Sequence, residues 1–283
     1  MTDNAQSLSA SYITAHYGKR YFFATRFLPN SKRQAIRTLY AFFRIADEIV
    51  DNSSSTSTQT HQDLHDWIEQ WQHVQTTAPD NTTHPILKDM WQVCQDYDIT
   101  YDYTNAFLKA MARDLTHQRY ERYQDLKEYM YGSAEVVGLM CTQIIGYHGD
   151  ALPYAQKLGE AMQMTNFLRD INEDFQERNR IYIPQEDLRS FEVNEDVIRH
   201  KVCTKEFQKL MKYYIEKTRN LYTEAYPGID LLHSDGRRGV KIAFYLYRSI
   251  LNEIEHLEYD IFKGQIKTHF SQKFIALYRS FRQ

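Results

Sequence analysis

The sequence is short of several things. Three cysteines in 283 residues, Cys94, Cys141 and Cys203, stand too far apart for a disulfide framework or a zinc site, so a reducing cytoplasm is the expected compartment. Ten glycines and six prolines leave few turns, which suits a mostly helical chain. A net charge of −3 lacks the basic footprint of a nucleic-acid binder. The longest uncharged apolar stretch, Val136 to Gly149, is too short to span a bilayer and is broken by Gly138 and Gly146. The opening MTDNAQSLSASY has neither a basic start nor an apolar run, and predicts no export signal. There is no internal repeat, no glycine-rich phosphate loop and no GxSxG elbow. Glu253 and His256 form one ExxH, but a di-iron bundle needs a second copy.

What is present is a globular composition, 42% hydrophobic and 25% charged, long enough to bury a sizeable core. The 22 tyrosines and 15 phenylalanines supply core packing, and some rings are available to line a cavity or face a cation. Apolar periodicity predicts helices near 5–18, 31–51, 62–75, 84–96, 102–115, 124–147, 152–176, 194–199, 204–225, 237–262 and 269–281, in one domain of residues 1–283. The low-complexity stretch Asn52 to Gln62 reads as a flexible loop. RNRIYIPQEDL, Arg178 to Leu188, breaks the helical pattern and reads either as a flap carrying Arg178 and Arg180 over bound phosphates or as a solvated loop.

Two segments carry the chemistry. RIADEIVD places Asp47 and Asp51 four residues apart, and QMTNFLRDINED does the same for Asp170 and Asp174, with Asn166 one turn earlier. Side chains four apart stack on one helix face. Tyr40 and Arg44 continue the first stripe; Gln163 continues the second, and Arg169 lies within a turn of its acids. Leu39, Phe42, Ala46 and Ile49, and likewise Met164, Leu168, Ile171 and Phe175, form separate apolar stripes for the core. A single DxxxD is weak evidence: Asp98 and Asp102 form a third, where no sustained helical pattern runs. Two matched arrays turned toward one cavity would hold hard divalent cations through oxygen, and such cations bind phosphate. Arg44 and Arg169 can hold the acids or touch that phosphate.

On these motifs the sequence resembles the squalene and phytoene synthase family, over nearly its whole length. YFFATRFLP (Tyr21 to Pro29), RTLYAFFRIADEIVD, YMYGSAEVVGLMC (Tyr129 to Cys141) and QMTNFLRDINEDFQERNRIYIP look like that family's segments, in order. Glu135 departs from the glycine some members carry, and could face solvent or the cavity mouth. The resemblance implies an all-α, isoprenoid-synthase-type bundle around a central cavity and a head-to-head condensation of two prenyl diphosphates. It implies Mg²⁺, with Mn²⁺ as a substitute, on Asp47, Asp51, Asn166, Asp170 and Asp174. Diphosphate leaves, an allylic cation is attacked by the second chain, and a cyclopropyl intermediate rearranges to a linear hydrocarbon. Tyr129 and Tyr247 are the ring candidates for stabilising cations. Tyr21, Thr25, Tyr40, Arg44, Gln163, Asn166, Arg169, Arg180 and Tyr247 are the expected substrate contacts. Small Thr25 favours the longer C20 donor and a phytoene product, with C30 dehydrosqualene or squalene as the alternative; a terpene cyclase or a non-catalytic metal- or lipid-binding helical scaffold stands lower. NADPH is not expected. Peripheral contact with the inner membrane face for product release, and a downstream desaturase, complete the expected partners.

Overall fold

The computed structural model describes residues 9–17, 19–51, 57–264 and 280, with the side chains of residues 19–21 left out. Its helices are α1 (Ala10–Tyr17), α2 (Lys19–Thr25), α3 (Asn30–Asp51), α4 (Ser57–Thr77), α5 (Pro85–Asp96), α6 (Tyr101–Asp114), α7 (Tyr123–Met130), α8 (Val136–Ile145), α9 (Leu152–Arg178), α10 (Gln185–Ser190), α11 (Glu195–Arg199), α12 (Lys205–Ala225), α13 (Pro227–Asp230) and α14 (Ser234–His256). Among the described residues there is no strand, only two isolated bridges, Arg119 with Ile181 and Tyr147 with Leu232. No described helix is long and apolar enough to cross a membrane.

α9 is the centre. It packs on α12, α8 and α14, and its buried stripe of Met164, Leu168, Ile171 and Phe175 is the one its 3.6-residue period demands. α3 buries Leu39, Phe42, Ala46 and Ile49 against α4, α5 and α6. The burial leaves each helix's acid-bearing stripe to face inward across a gap rather than into the core.

Two departures from the sequence reading have local causes. The polar stretch expected as a loop is helical from Ser57 onward, because Thr60, Leu64, Trp67, Trp71 and Val74 sit on one buried face; residues 52–56 lie outside the described ones. The helix expected over 124–147 is interrupted by a π-turn, Tyr131–Glu135, between α7 and α8. Of the terminal helices expected at 5–18 and 269–281, the first is helical over Ala10–Tyr17, and all of the second but residue 280 lies outside the described residues.

α8 and the π-turn before it touch α9 main chain to main chain. A Cβ on Gly138 would lie 2.4 Å from the Ala155 carbonyl oxygen, and one on Gly159 would lie 2.6 Å from that of Ala134. Only glycine permits that approach.

Glu135, at the end of the π-turn, faces neither solvent nor the cavity. It is 6% exposed, and its Oε2 accepts from Gln156 Nε2 at 3.2 Å. Beside it Glu160, also buried, accepts from the Tyr123 hydroxyl at 2.8 Å. Burial first, and the Glu160 charge second, push Glu135 up to about 7. An acid whose pKa is higher folded than unfolded adds stability below its unfolded value near 4.5, and that stability is lost as pH rises through 7. Glu135→Gln, permanently neutral, is therefore expected to be more stable than the parent at pH 8, by on the order of 2 kcal/mol, and equal to it near pH 4.5. Thermal melts at the two pH values check this; a gap of the same size at both would remove buried charge as its cause.

Candidate active site

Between α3, α6, α7, the π-turn, α8, α9 and α14 lies a cavity of about 690 Å³. Its lining follows α9 from Ala155 through Gly159, Met162, Asn166 and Asp170 to Asp174. At 1.5 Å per residue that is roughly 28 Å of helix. The polar end carries the acids and arginines; the other end is walled by side chains such as Leu28, Ile145, Leu158 and Val240. The shape is that of a charged mouth opening onto a long apolar channel.

Of the residues singled out from sequence, Thr25, Tyr40, Arg44, Asp47, Asp51, Tyr129, Gln163, Asn166, Arg169, Asp170, Asp174, Arg180 and Tyr247 all line this cavity. Tyr21 lies on α2, and its side chain is outside the described ones. Asp98 and Asp102 do not line it; Asp98 sits in the loop before α6 with φ of 52°, and Asp102 is in that helix's first turn.

The acids are crowded and each has a cation in reach. Arg44 holds Asp47 and, one turn on, Glu48. Arg169 Nε donates to Asp170 Oδ1 at 2.6 Å. Arg178, the last residue of α9, pairs with Asp51 at 3.0 Å and reaches Asp174 at 3.8 Å, so it links the two acidic helices. Arg180 Nη1 donates to the same Asp51 oxygen at 2.9 Å. Desolvation first and the Asp51 charge next push Asp47 up to about 6, against the pull of Arg44. Asp174 is pushed up to about 8 by desolvation and Asp170, against Arg178 and Arg180. Burial first, and neighbouring carboxylates second, hold these two acids above their ordinary range.

The Arg178–Arg180 segment is not a solvated loop: both arginines line the cavity. Asn179 turns left-handed at φ 53° and stops α9. The Arg180 N–H then returns to the Asp174 carbonyl at 3.0 Å, which folds Arg180 back into the cavity, 8% exposed. Arg37, on α3, lies outside the cavity lining: it stands behind Thr25, over the Phe22 ring at 4.2 Å.

Sequence reasoning missed Asp114 and Tyr182. Both line the cavity and both are buried. The Tyr129 hydroxyl donates to Asp114 Oδ2 at 2.6 Å, and the Tyr182 ring stacks on Phe167 with centroids 4.1 Å apart. Burial pushes Asp114 up to about 7, with Arg180 and the Tyr129 hydrogen bond holding it down. The signal was there: Asp114 falls on the apolar stripe of Phe107 and Met111, where a hydrophobe is expected.

Residues 14–272 match the family described as squalene/phytoene synthase. The chain belongs to the squalene/phytoene synthase family. It is similar to the phytoene synthase of Arthrospira platensis, 36% identical over 265 residues, covering 88% of this chain and 84% of that one. It is similar also to the 15-cis-phytoene synthase of Synechococcus elongatus, 31% identical, covering 91% and 88%. Among solved structures it is similar to a dehydrosqualene synthase crystallised with a ligand, with TM-score 0.87 and 27% identity over 96% of this chain and 93% of the other. Members of this family are prenyltransferases of the isoprenoid-synthase, all-α kind, and the bundle described above is that fold.

Proposed function

We propose that this protein joins two C20 prenyl diphosphates head to head, with loss of both diphosphates and a proton, to give the C40 hydrocarbon phytoene. The observation that carries the reading is the cavity itself: two acid-bearing helix faces at one end and a long apolar channel at the other, in a chain similar along most of its length to phytoene synthases. C30 dehydrosqualene from farnesyl diphosphate is the second reading, favoured by the likeness to the dehydrosqualene synthase structure.

Asp47, Asp51, Asn166, Asp170 and Asp174 would hold Mg²⁺, or Mn²⁺ in its place. Among the described residues no three of the acids, histidines or cysteines converge tightly enough to hold an ion by themselves. Mg²⁺ takes one or two carboxylates and fills its sphere with water and substrate phosphate oxygens. All five donors offer hard oxygens, as Mg²⁺ prefers. When bound, the ion would supply charge that draws the diphosphate off the allylic carbon.

The chain's own residues do the rest. Arg44, Arg169 and Arg180 are placed to take the leaving diphosphate by charge-assisted hydrogen bonds, at the cost of loosening their present carboxylate pairs. Tyr129, Tyr247 and their neighbours offer ring faces to the allylic and cyclopropylcarbinyl cations. The apolar wall keeps water from quenching them. The released diphosphate takes the final proton, so no strong protein base is required. Phytoene forms by proton loss rather than hydride addition, and NADPH has no part in it. The hydrocarbon would pass to a membrane face and to a desaturase.

The test is direct. Purified protein with Mg²⁺ and C20 diphosphate should release diphosphate and yield an extractable C40 hydrocarbon. C30 hydrocarbon alone, when C15 and C20 donors compete, would establish the second reading. Release of diphosphate with only prenyl alcohols, or no release, would sink both.

A further inference from the structure

α6 ends on a charge where its buried stripe calls for a hydrophobe. Phe107, Met111 and Asp114 share a face by their spacing, and all three line the cavity. Asp114 is 7% exposed. A carboxylate so placed costs several kcal/mol unless hydrogen bonds receive it. Its partners are two tyrosines: the Tyr129 hydroxyl donates to Oδ2 at 2.6 Å, and the Tyr182 hydroxyl reaches Oδ1 at 3.5 Å. Arg180, the cation acting on Asp114, is itself tied to Asp51 at 2.9 Å. The carboxylate thus stands between an aromatic wall and the acidic end of the cavity.

The aromatic wall is ordered around Tyr129. Its ring lies 5.4 Å from Tyr120 and 5.6 Å from Tyr182, nearly parallel to the latter at 24°. Stacking fixes the plane of a ring but not its slide along the stack. A hydrogen bond at the hydroxyl fixes that too. A phenol that donates to a carboxylate also gains electron density in its ring, which strengthens its hold on a cation over its face. With the acceptor removed, the hydroxyl of a residue 3% exposed loses its charged partner and must turn toward a neutral one, such as the Tyr182 hydroxyl beside it.

We propose that Asp114 is a positioning residue of the condensation: it fixes Tyr129 as the ring facing the reacting carbons. The proposal rests on the head-to-head reading above.

The experiment compares wild type, Asp114→Ala, Asp114→Asn, Tyr129→Phe and the Asp114→Asn/Tyr129→Phe double variant, with C20 diphosphate at saturating Mg²⁺, by diphosphate release and extracted hydrocarbon. A misplaced reacting group costs on the order of 10²-fold in rate, so Asp114→Ala should lose about that much kcat. Its KM should stay within about threefold, because ground-state binding is untouched. Asparagine still offers Tyr129 an acceptor oxygen, and should keep kcat within about fivefold of wild type. In the Tyr129→Phe background the asparagine change should be nearly silent, since the pair acts as one unit. Raised KM with kcat intact in the alanine variant, an asparagine variant with a hundredfold loss, or additive losses in the double variant would each overturn the proposal. Should the alanine variant fail to fold by circular dichroism, the asparagine variant decides alone. A wild type that makes no hydrocarbon indicts the head-to-head reading instead.

Discussion

Asp170→Ala is expected to lose about 10³-fold or more in hydrocarbon formation at saturating Mg²⁺, and Asp47→Ala a similar amount, with both proteins folded. Several kcal/mol of charge stabilisation at the departing diphosphate is what each oxygen donor helps to deliver, and 1.36 kcal/mol is tenfold in rate. The two variants should differ in stability. Asp47 is pushed up by desolvation and by Asp51, and when it is removed Arg44 keeps Glu48 as its partner. Asp47→Ala should therefore melt at or above the parent's temperature without metal. Asp170→Ala takes from Arg169 the carboxylate that it grips at 2.6 Å, and leaves a guanidinium of which one fifth is exposed. That variant should melt slightly lower. Asp98→Ala, exposed and outside the cavity, is the activity control. Wild-type turnover in either cavity variant would remove the assigned roles, whatever the melts show.

Thr25→Phe is expected to shift donor preference from C20 toward C15. Thr25 is 2% exposed, lines the cavity, and is held by its hydroxyl to the Phe22 carbonyl at 2.9 Å. Each methylene-sized group of the donor that finds room is worth about 0.8 kcal/mol, whereas overfilling costs about 1–3 kcal/mol. A ring in place of a hydroxyl and a methyl takes up channel that the last isoprene unit would use. A change of about tenfold in the C20 to C15 product ratio is the scale to expect, since 1.4 kcal/mol is tenfold. Competing both donors against wild type and variant measures it, and an unchanged ratio would mean that Thr25 does not meet the substrate.

The sequence made the acidic arrays legible because carboxylates at a spacing of four need only a helix to become a face, and the flanking apolar stripes guaranteed the helix. Everything that depended on a partner far along the chain was hidden. Arg178 and Arg180 read equally as flap or as solvated loop because nothing local shows that a left-handed Asn179 turns the chain back onto Asp51. Asp114 was passed over despite its place on the apolar stripe of Phe107 and Met111, since its two hydroxyl partners lie 15 and 68 residues away. Glu135 could not be placed until Gln156 and Glu160 were seen to enclose it. At Ser57 the failure was of another kind: a serine- and threonine-rich run has weak helix propensity, and burial of Thr60 and Leu64 overrides it.

The glycine contact between α8 and α9 has a bearing on how such a channel adapts. Gly138 and Gly159 both line the cavity, so part of that wall is bare main chain. Main chain has no rotamers to flip, and neither position accepts so much as a methyl group. That side of the channel acts as a fixed jig, against which every substrate is laid in the same way. Accommodation of a longer or shorter chain falls to the walls that do carry side chains, those of Thr25 and Leu28 near the end of α2 and of Val240 and Ala243 on α14. Selection for a new product would rewrite those surfaces and leave the jig untouched.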